Sequence, residues 1–446
     1  MLLISVLTCL ADAQSYSVLH NFGNTPDAKN PYADLFLSGK TVYGTTEFGG
    51  SNGVGTIFKV NIDGSGYVVL KNFANGPDGA RPHTGLVLSG SMLYGTTSAG
   101  GSANIGTVFT VDTNGAGFTF VKNFSSSSQG WEPEADLLLS GDILYGTTYA
   151  GGSALNGTIF MVNTDGTGFT VLKTYTNNSD GVRPKGALVL SGNTLYGTTY
   201  QGGSAGVGTI FSINTNGTGF TVLKSFTNNP DGANPQAGLL LSGSTLYGTT
   251  YGGGSKGYGT IFAINTNGSG FTVLKNFTNS PDGANPEAGL LLSGSTLYGT
   301  TYGGGANAGG GGVGMVFAIN TNGTGFTVLK YFGFTDGQHP MAGLISSGDA
   351  LYGTAYAAGN NLPTGYGVVF KISLTPKIQT TIVAGGQISL GWTAILNSNY
   401  QFQYTTNLTQ AGWINASNPI AATNATMSVS FPAPDQQGFY RVVYQP

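Results

Sequence analysis

Few side chains in this chain are equipped for chemistry, and most of them recur at fixed spacing. Glutamate occurs only as Glu47, Glu132, Glu134 and Glu287. Hydrolysis of a glycoside needs two carboxylates across a cleft, and the best irregular cluster is Trp131, Glu132, Glu134 and Asp136. In an enzyme acting on polysaccharide, Glu132 or Glu134 would be the acid or base; free variation of a surface loop is the competing reading. Tyr149, Tyr200, Tyr251, Tyr302 and Tyr356 each stand four residues after a repeated tyrosine, with Glu47 and Ser98 in the two remaining places. Rings with polar tips, arranged as a crescent, would stack on sugar faces. Packing between neighbouring repeats is the alternative for them.

A second series, Asp27, Asp78, Asp180, Asp231, Asp282 and Asp336, is broken by Gln129, and each aspartate is followed four residues later by proline. An acidic ring would hold Ca²⁺, whereas an aspartate that starts a turn before a proline needs no metal. The histidines His20, His83 and His339 share no metal-ligand spacing. Neither a metal nor a cofactor is expected. The strings Gly202-Gly203-Ser204-Ala205-Gly206 and Gly252-Gly253-Gly254-Ser255-Lys256-Gly257 fit a nucleophile elbow and a dinucleotide loop only as text. Both motifs require a strand-to-helix turn, and here each lies between two strands.

The series exist because the chain repeats. Tyr-Gly-Thr-Thr begins at Tyr43, Tyr94, Tyr145, Tyr196, Tyr247 and Tyr298, and Tyr-Gly-Thr-Ala at Tyr352, so the period is 51 residues with one step of 54. Each copy holds four short apolar runs, here named a to d, as in Gly238 to Leu241, Thr245 to Gly248, Thr260 to Ile264 and Phe271 to Leu274. Ser-Gly and Asn-Thr-Asn-Gly links suit hairpins. Four antiparallel strands every 50 or so residues predict the blades of a β-propeller. Tyr16 to Phe22 matches strand d and precedes the first strand a, while the last copy stops after its strand c at Val368 to Ile372. The expectation is therefore an all-β, seven-bladed propeller over residues 14–374, closed by an N-terminal outer strand. On strand d, Lys71, Lys122, Lys173, Lys224, Lys275 and Lys330 recur, with His20 in the equivalent place. They are read as lysines on an exposed sheet edge that discourage pairing with other molecules.

Strand directions place the d–a and b–c loops on one face. That face carries the tyrosines and the longer loops, and is the expected ligand surface. From 375 to 446 the repeat gives way to alternating strands around Trp392, which suit a small immunoglobulin-like or fibronectin type III-like sandwich.

Charged residues are 8% of the chain and the net charge is −3, which leaves no basic field for nucleic acid. No run of 18 apolar residues predicts a membrane span. The apolar start, Met1 to Leu10, followed by Ala11-Asp12-Ala13, reads as a signal peptide over residues 1–13. Its Cys9 is the only cysteine, so no disulfide is expected in the mature protein.

Leu-Tyr-Gly-Thr-Thr, the Gly-Gly-Ser loop, Gly-Thr-Ile-Phe and the Asn-Thr-Asn-Gly-Thr-Gly-Phe turn resemble the GloVer (Gloeo-Verruco) tandem repeat across about 360 residues. The resemblance implies extracytoplasmic bacterial proteins with varied C-terminal anchors and no established enzymatic activity. The tail is similar to the small sandwich ending in Phe-Tyr-Arg-Val of exported proteins from the same groups. Some members would add a hydrophobic sorting helix; here Gln445-Pro446 follows the last strand, which leaves both release and surface display open. The function expected is non-catalytic binding of an extracellular glycan or protein by a secreted or surface-displayed monomer. A polysaccharide-active enzyme and a purely structural repeat are the alternatives.

Overall fold

The computed structural model describes residues 15–374 apart from 24–25, 75, 77, 306–311 and 360–364, and residues 378–445 apart from 385–386, 394–398, 406–412, 423–425 and 433–438. The leader expected over residues 1–13 lies outside the described residues.

Each repeat forms a four-stranded antiparallel sheet. In the fifth, Leu240–Ser242, Thr245–Thr250, Thr260–Asn265 and Thr272–Asn276 pair in that order as strands a to d. The central strands b and c are apolar on both faces, and Leu246, Ile261, Phe262 and Ile264 are fully buried between neighbouring sheets. Seven such sheets occur among the described residues, giving an all-β, propeller-like repeat fold. In one of them Tyr16–Asn21 pairs with Val368–Ser373, Tyr16 opposite Ile372, beside Ala350–Ala355 and Ile345–Ser347.

One aromatic group recurs wherever two sheets meet. Phe262 of strand c stacks on Phe271 at the start of strand d, ring centres 5.7 Å apart, and meets Phe226 from the preceding repeat edge-on at 5.3 Å. Phe73, Phe109 and Phe118 make the same group, as do Phe332, Phe370 and Tyr16. The glycine of Tyr-Gly-Thr-Thr makes room for it: a Cβ on Gly248 would lie 2.5 Å from Phe262 Cζ. The next residue ties sheets together by a hydrogen bond, since Thr249 Oγ1 donates to Ala288 O at 3.1 Å and Thr45 Oγ1 to Thr84 O at 2.8 Å.

The strand-d lysines do something other than guard an open edge. Lys71, Lys173, Lys224, Lys275 and Lys330 are each ion-paired with the aspartate of the following loop, and their side chains are only 19–23% exposed. Each also lies over an aromatic ring of the next sheet, as Lys173 over Phe220 at 4.2 Å and Lys330 over Tyr16 at 4.6 Å. They are clasps between sheets. The aspartates meanwhile accept backbone N–H bonds, as Asp231 does from Thr227 at 3.0 Å, and no group of three potential metal ligands forms among the described residues. They serve turns and clasps. A bulge in every strand d, such as the register shift opposite Ile261 and Phe262, twists that edge further from regular pairing.

Beyond residue 374, Ile378–Ala384, Gln387–Thr393 and Thr426–Pro432 form one sheet. Asn399–Thr405 pairs with Ile414–Asn415, Ile420–Ala421 and Phe439–Gln445 in another. Trp392 and Tyr400, one from each, lie 6.0 Å apart.

Two departures from the repeat generate expectations. Tyr175 stands where the other groups carry phenylalanine, and its buried hydroxyl has no hydrogen-bond partner among the described residues. Tyr175→Phe is expected to stabilise the chain by about 1 kcal/mol in denaturant unfolding; a loss of stability would contradict this packing. Gln129 ends the short turn Ser127–Gln129, the counterpart of Asn178–Asp180, whose Asp180 holds Lys173 at 2.6 Å. Lys122 has no such partner among the described residues, and burial lowers its pKa. Gln129→Asp should complete the clasp and add about 0.5–1 kcal/mol, an increment that high salt diminishes.

Candidate functional site

The d–a loop of each repeat is bridged to its b–c loop, as Trp131 to Ala150, Val182 to Gln201 and Ala284 to Gly303. Both loops are thereby held at one end of the sheets. The residue after the bridge carries a left-handed backbone in all seven copies: Asn30, Arg81, Glu132, Arg183, Asn234, Asn285 and His339 have φ between 55° and 59°. Its carbonyl accepts the N–H that begins the b–c loop, as Glu132 O does from Tyr149 at 2.9 Å and Arg183 O from Tyr200 at 3.0 Å. Asparagine tolerates this conformation, and in Asn234 and Asn285 the side-chain amide also donates to the carbonyl of Tyr200 or Tyr251 next door. Arg81, Glu132 and Arg183 bear the strain without that compensation.

Proline follows, and the chain then turns inward. The next residue takes six identities in seven copies: Tyr32, His83, Glu134, Lys185, Gln236, Glu287 and Met341. All seven line one cavity of about 240 Å³, walled deeper by Asp34, Asp136, Leu239, Leu290 and Leu344. Side chains 309 positions apart in sequence meet around it.

Three charged clusters shape the cavity. Lys185 lies 3.4 Å from Glu134 and over the rings of Tyr149 at 5.5 Å and Tyr200 at 5.7 Å. His83 Nε2 is 3.1 Å from Glu47 Oε1, and the Tyr356 hydroxyl donates to Glu47 Oε2 at 2.9 Å, while Tyr32 stacks on His83 at 4.9 Å. Burial works to raise the Glu47 carboxyl, but its contacts with His83, then Tyr356 and the Arg81 charge, hold it below the ordinary value. Asp34 accepts from Gly343 N and Asp136 from Gly85 N, both at 2.6 Å. Burial raises both carboxyls, and the Asp34 charge raises Asp136 further. Glu287 has no hydrogen-bond or ion-pair partner among the described residues, and burial pushes it up to about 7 against the opposing Lys185 charge.

The residues singled out in sequence divide. Tyr149, Tyr200, Tyr251, Tyr302 and Tyr356 are each half-buried and none lines the cavity itself; Tyr149 and Tyr200 meet its Lys185, and Tyr356 meets its Tyr32 edge-on at 6.2 Å. Burial, then the Glu287 charge, then Tyr302 and Tyr200, raise the Tyr251 hydroxyl, which places these groups together. Tyr302 stacks instead on His339 at 4.4 Å. Glu134 lines the cavity; Trp131 is absorbed in the loop bridge and Glu132 is exposed outside it, so the two glutamates do not face each other across it. Sequence reasoning passed over Tyr32, Lys185 and Gln236, and weighed His83 only as a metal ligand. Their signal was the position after the proline, which takes six identities in seven copies while the proline itself does not change.

Comparison with known proteins follows the repeat rather than the cavity. The profile of the Gloeobacter/Verrucomicrobia repeat matches residues 6–210, 89–312 and 199–391. No curated protein matches the sequence. Among solved structures, an oligogalacturonate lyase in complex with manganese is 13% identical, with a TM-score of 0.51 over 81% of this chain and 97% of that one. A puromycin-hydrolyzing peptidase of Mycobacterium tuberculosis is 11% identical, with a TM-score of 0.52 over 86% of this chain and 62% of that one. At such identities the likeness concerns the fold alone. No helix among the described residues is long and apolar enough to cross a membrane.

The raised Glu287 carboxyl has a consequence for stability. Its folded-state pKa of about 7 exceeds the unfolded value, so the folded chain holds the extra proton, and stability falls as pH rises from about 4.5 to about 7. Glu287→Gln removes the ionisation and should stabilise the chain at pH 8 by on the order of 1–2 kcal/mol, with little change at pH 4. Thermal melts of both proteins at the two pH values check this; equal differences at both would refute it.

Proposed function

Because the chain belongs to the Gloeobacter/Verrucomicrobia repeat family, we propose that it is an extracytoplasmic, non-catalytic binding protein that takes a glycan or protein ligand at the cavity mouth. The observation that carries this reading is the convergence of the most variable loop position, the one after the proline, on one cavity, whose Lys185 lies over Tyr149 and Tyr200 and whose Glu287 charge reaches Tyr251. Scaffold positions repeat because each copy solves the same packing problem; a position that takes six identities in seven copies and faces one space answers to a ligand instead. Half-buried tyrosines offer a face for stacking and a hydroxyl for hydrogen bonding.

The scaffold in this reading is a closed ring of seven blades over residues 14–374. Tyr16–Asn21 supplies the fourth strand of the last blade, and Phe22 meets Phe58 at 5.2 Å in the aromatic group shared with the first. Residues 375–446 make a small fibronectin type III-like sandwich around Trp392, and residues 1–13 a signal peptide for export. The ring in this proposal acts as a monomer, without cofactor, nucleic acid or membrane span.

Glycan arrays and pull-downs with bacterial envelope fractions test the proposal. Wild-type protein should retain a ligand, and Tyr200→Ala with Tyr251→Ala should weaken retention at least tenfold while leaving the circular dichroism spectrum unchanged. Undiminished binding by the double variant would move the site elsewhere.

A further inference from the structure

The cavity is polarised. Four carboxylates line it, those of Asp34, Glu134, Asp136 and Glu287, against one ammonium, that of Lys185. The arginines of this face lie outside it: Arg81 is over Phe48 at 5.7 Å, and Arg183 is over Tyr149 at 5.3 Å with Nη1 donating to Gln201 Oε1 at 3.1 Å. Asp34 and Asp136 are half-buried in the cavity wall, where each receives one backbone N–H and neither has a cation within ion-pair distance among the described residues. Glu287 lacks any partner there. Half-buried carboxylates that are left uncompensated carry a desolvation cost, and a cation entering the space relieves it.

The form of that cation follows from how the charges are spread. A bare divalent ion needs three or more oxygens converging within coordination distance, and no three potential ligands converge among the described residues. A larger, organic cation can meet carboxylates one at a time. The walls add an apolar surface, Leu239, Leu290 and Leu344, next to the hydrogen-bonding groups of Gln236, His83 and Tyr32. That combination suits a ring with C–H faces and hydroxyl edges. Resting on the binding function proposed above, we infer that the cavity takes a protonated primary amine carried on a hydroxylated sugar ring, with Glu287 receiving the ammonium group.

Glu287 is the group to which the amine is assigned because it is unpartnered, lines the cavity and lies close enough to Tyr251 and Tyr32 for its charge to act on both. The tyrosine faces add cation–π attraction to its charge. Lys185 is occupied by Glu134 and screens that carboxylate from the ligand.

Isothermal titration calorimetry of the full chain at pH 7.5 with glucosamine, N-acetylglucosamine, glucose and putrescine tests the assignment. Glucosamine should bind at least tenfold more tightly than each of the other three. Glu287→Gln should reduce that affinity at least tenfold with no fall in melting temperature, whereas Lys256→Gln, on an exposed loop away from the cavity, should leave it unchanged. Equal affinity for glucosamine and its N-acetyl form, equal or better binding of putrescine, an unaffected Glu287→Gln protein, or no saturable binding of glucosamine would each overturn the inference. If N-acetylglucosamine and glucose bind as well as glucosamine, and Tyr200→Ala with Tyr251→Ala abolishes all three, the glycan-binding reading survives while the amine assignment falls.

Discussion

Edge-on packing of aromatic rings between neighbouring sheets is the interaction on which the rest of this structure depends. A four-stranded sheet buries too little by itself to be stable, so each must place both faces against others. The strand-c phenylalanine does this by meeting one ring from its own strand d and one from the repeat before. Much of the consensus follows from accommodating it. Glycine in Tyr-Gly-Thr-Thr clears the ring, the following threonine bonds to the next sheet, and the strand-d lysine covers the ring's neighbour while held by aspartate. Features that resemble a recognition code in sequence, a ring of acids and a ring of bases, are thus consumed in joining sheets.

That economy is what makes the cavity legible. Once the repeated lysines and aspartates are assigned to clasps and the hairpin aspartates to their turns, a group of unlike charges is left at the end where the d–a and b–c loops meet. All four glutamates of the chain are there, with Arg81, Arg183, Lys185 and His83. The backbone contributes a further mark: a left-handed residue before each proline, kept even where it is arginine or glutamate and the conformation costs on the order of 1 kcal/mol or more. A fixed turn with variable side chains is how a rigid scaffold presents different chemistry from identical units.

Sequence reasoning succeeded and failed in instructive places. The strands could be read because Tyr-Gly-Thr-Thr and Gly-Thr-Ile-Phe recur in phase with hairpin signals, and their observed limits differ by only a residue or two from those expected. The lysines were misjudged because a side chain on an outer strand looks solvent-facing until the next sheet, with its Phe118 or Phe220, is put beside it. Trp131 and Glu132 drew attention as irregularities, yet the loop bridge and the outward turn keep them from the cavity that Glu134 enters.

By itself, then, the sequence determined an all-β repeat, its period, the strand order within each unit and the face on which the loops gather. These are local properties, set by alternation, turn residues and the spacing of one tetrapeptide. Only the tertiary structure decided which of several acidic and basic series is spent on packing and which is left facing space. Asp34 and Gly343, or Glu47 and Tyr356, are 309 residues apart, and no local pattern reports that they touch. Their meeting depends on how successive sheets pack against one another, a geometry summed over every interface and carried by no single repeat.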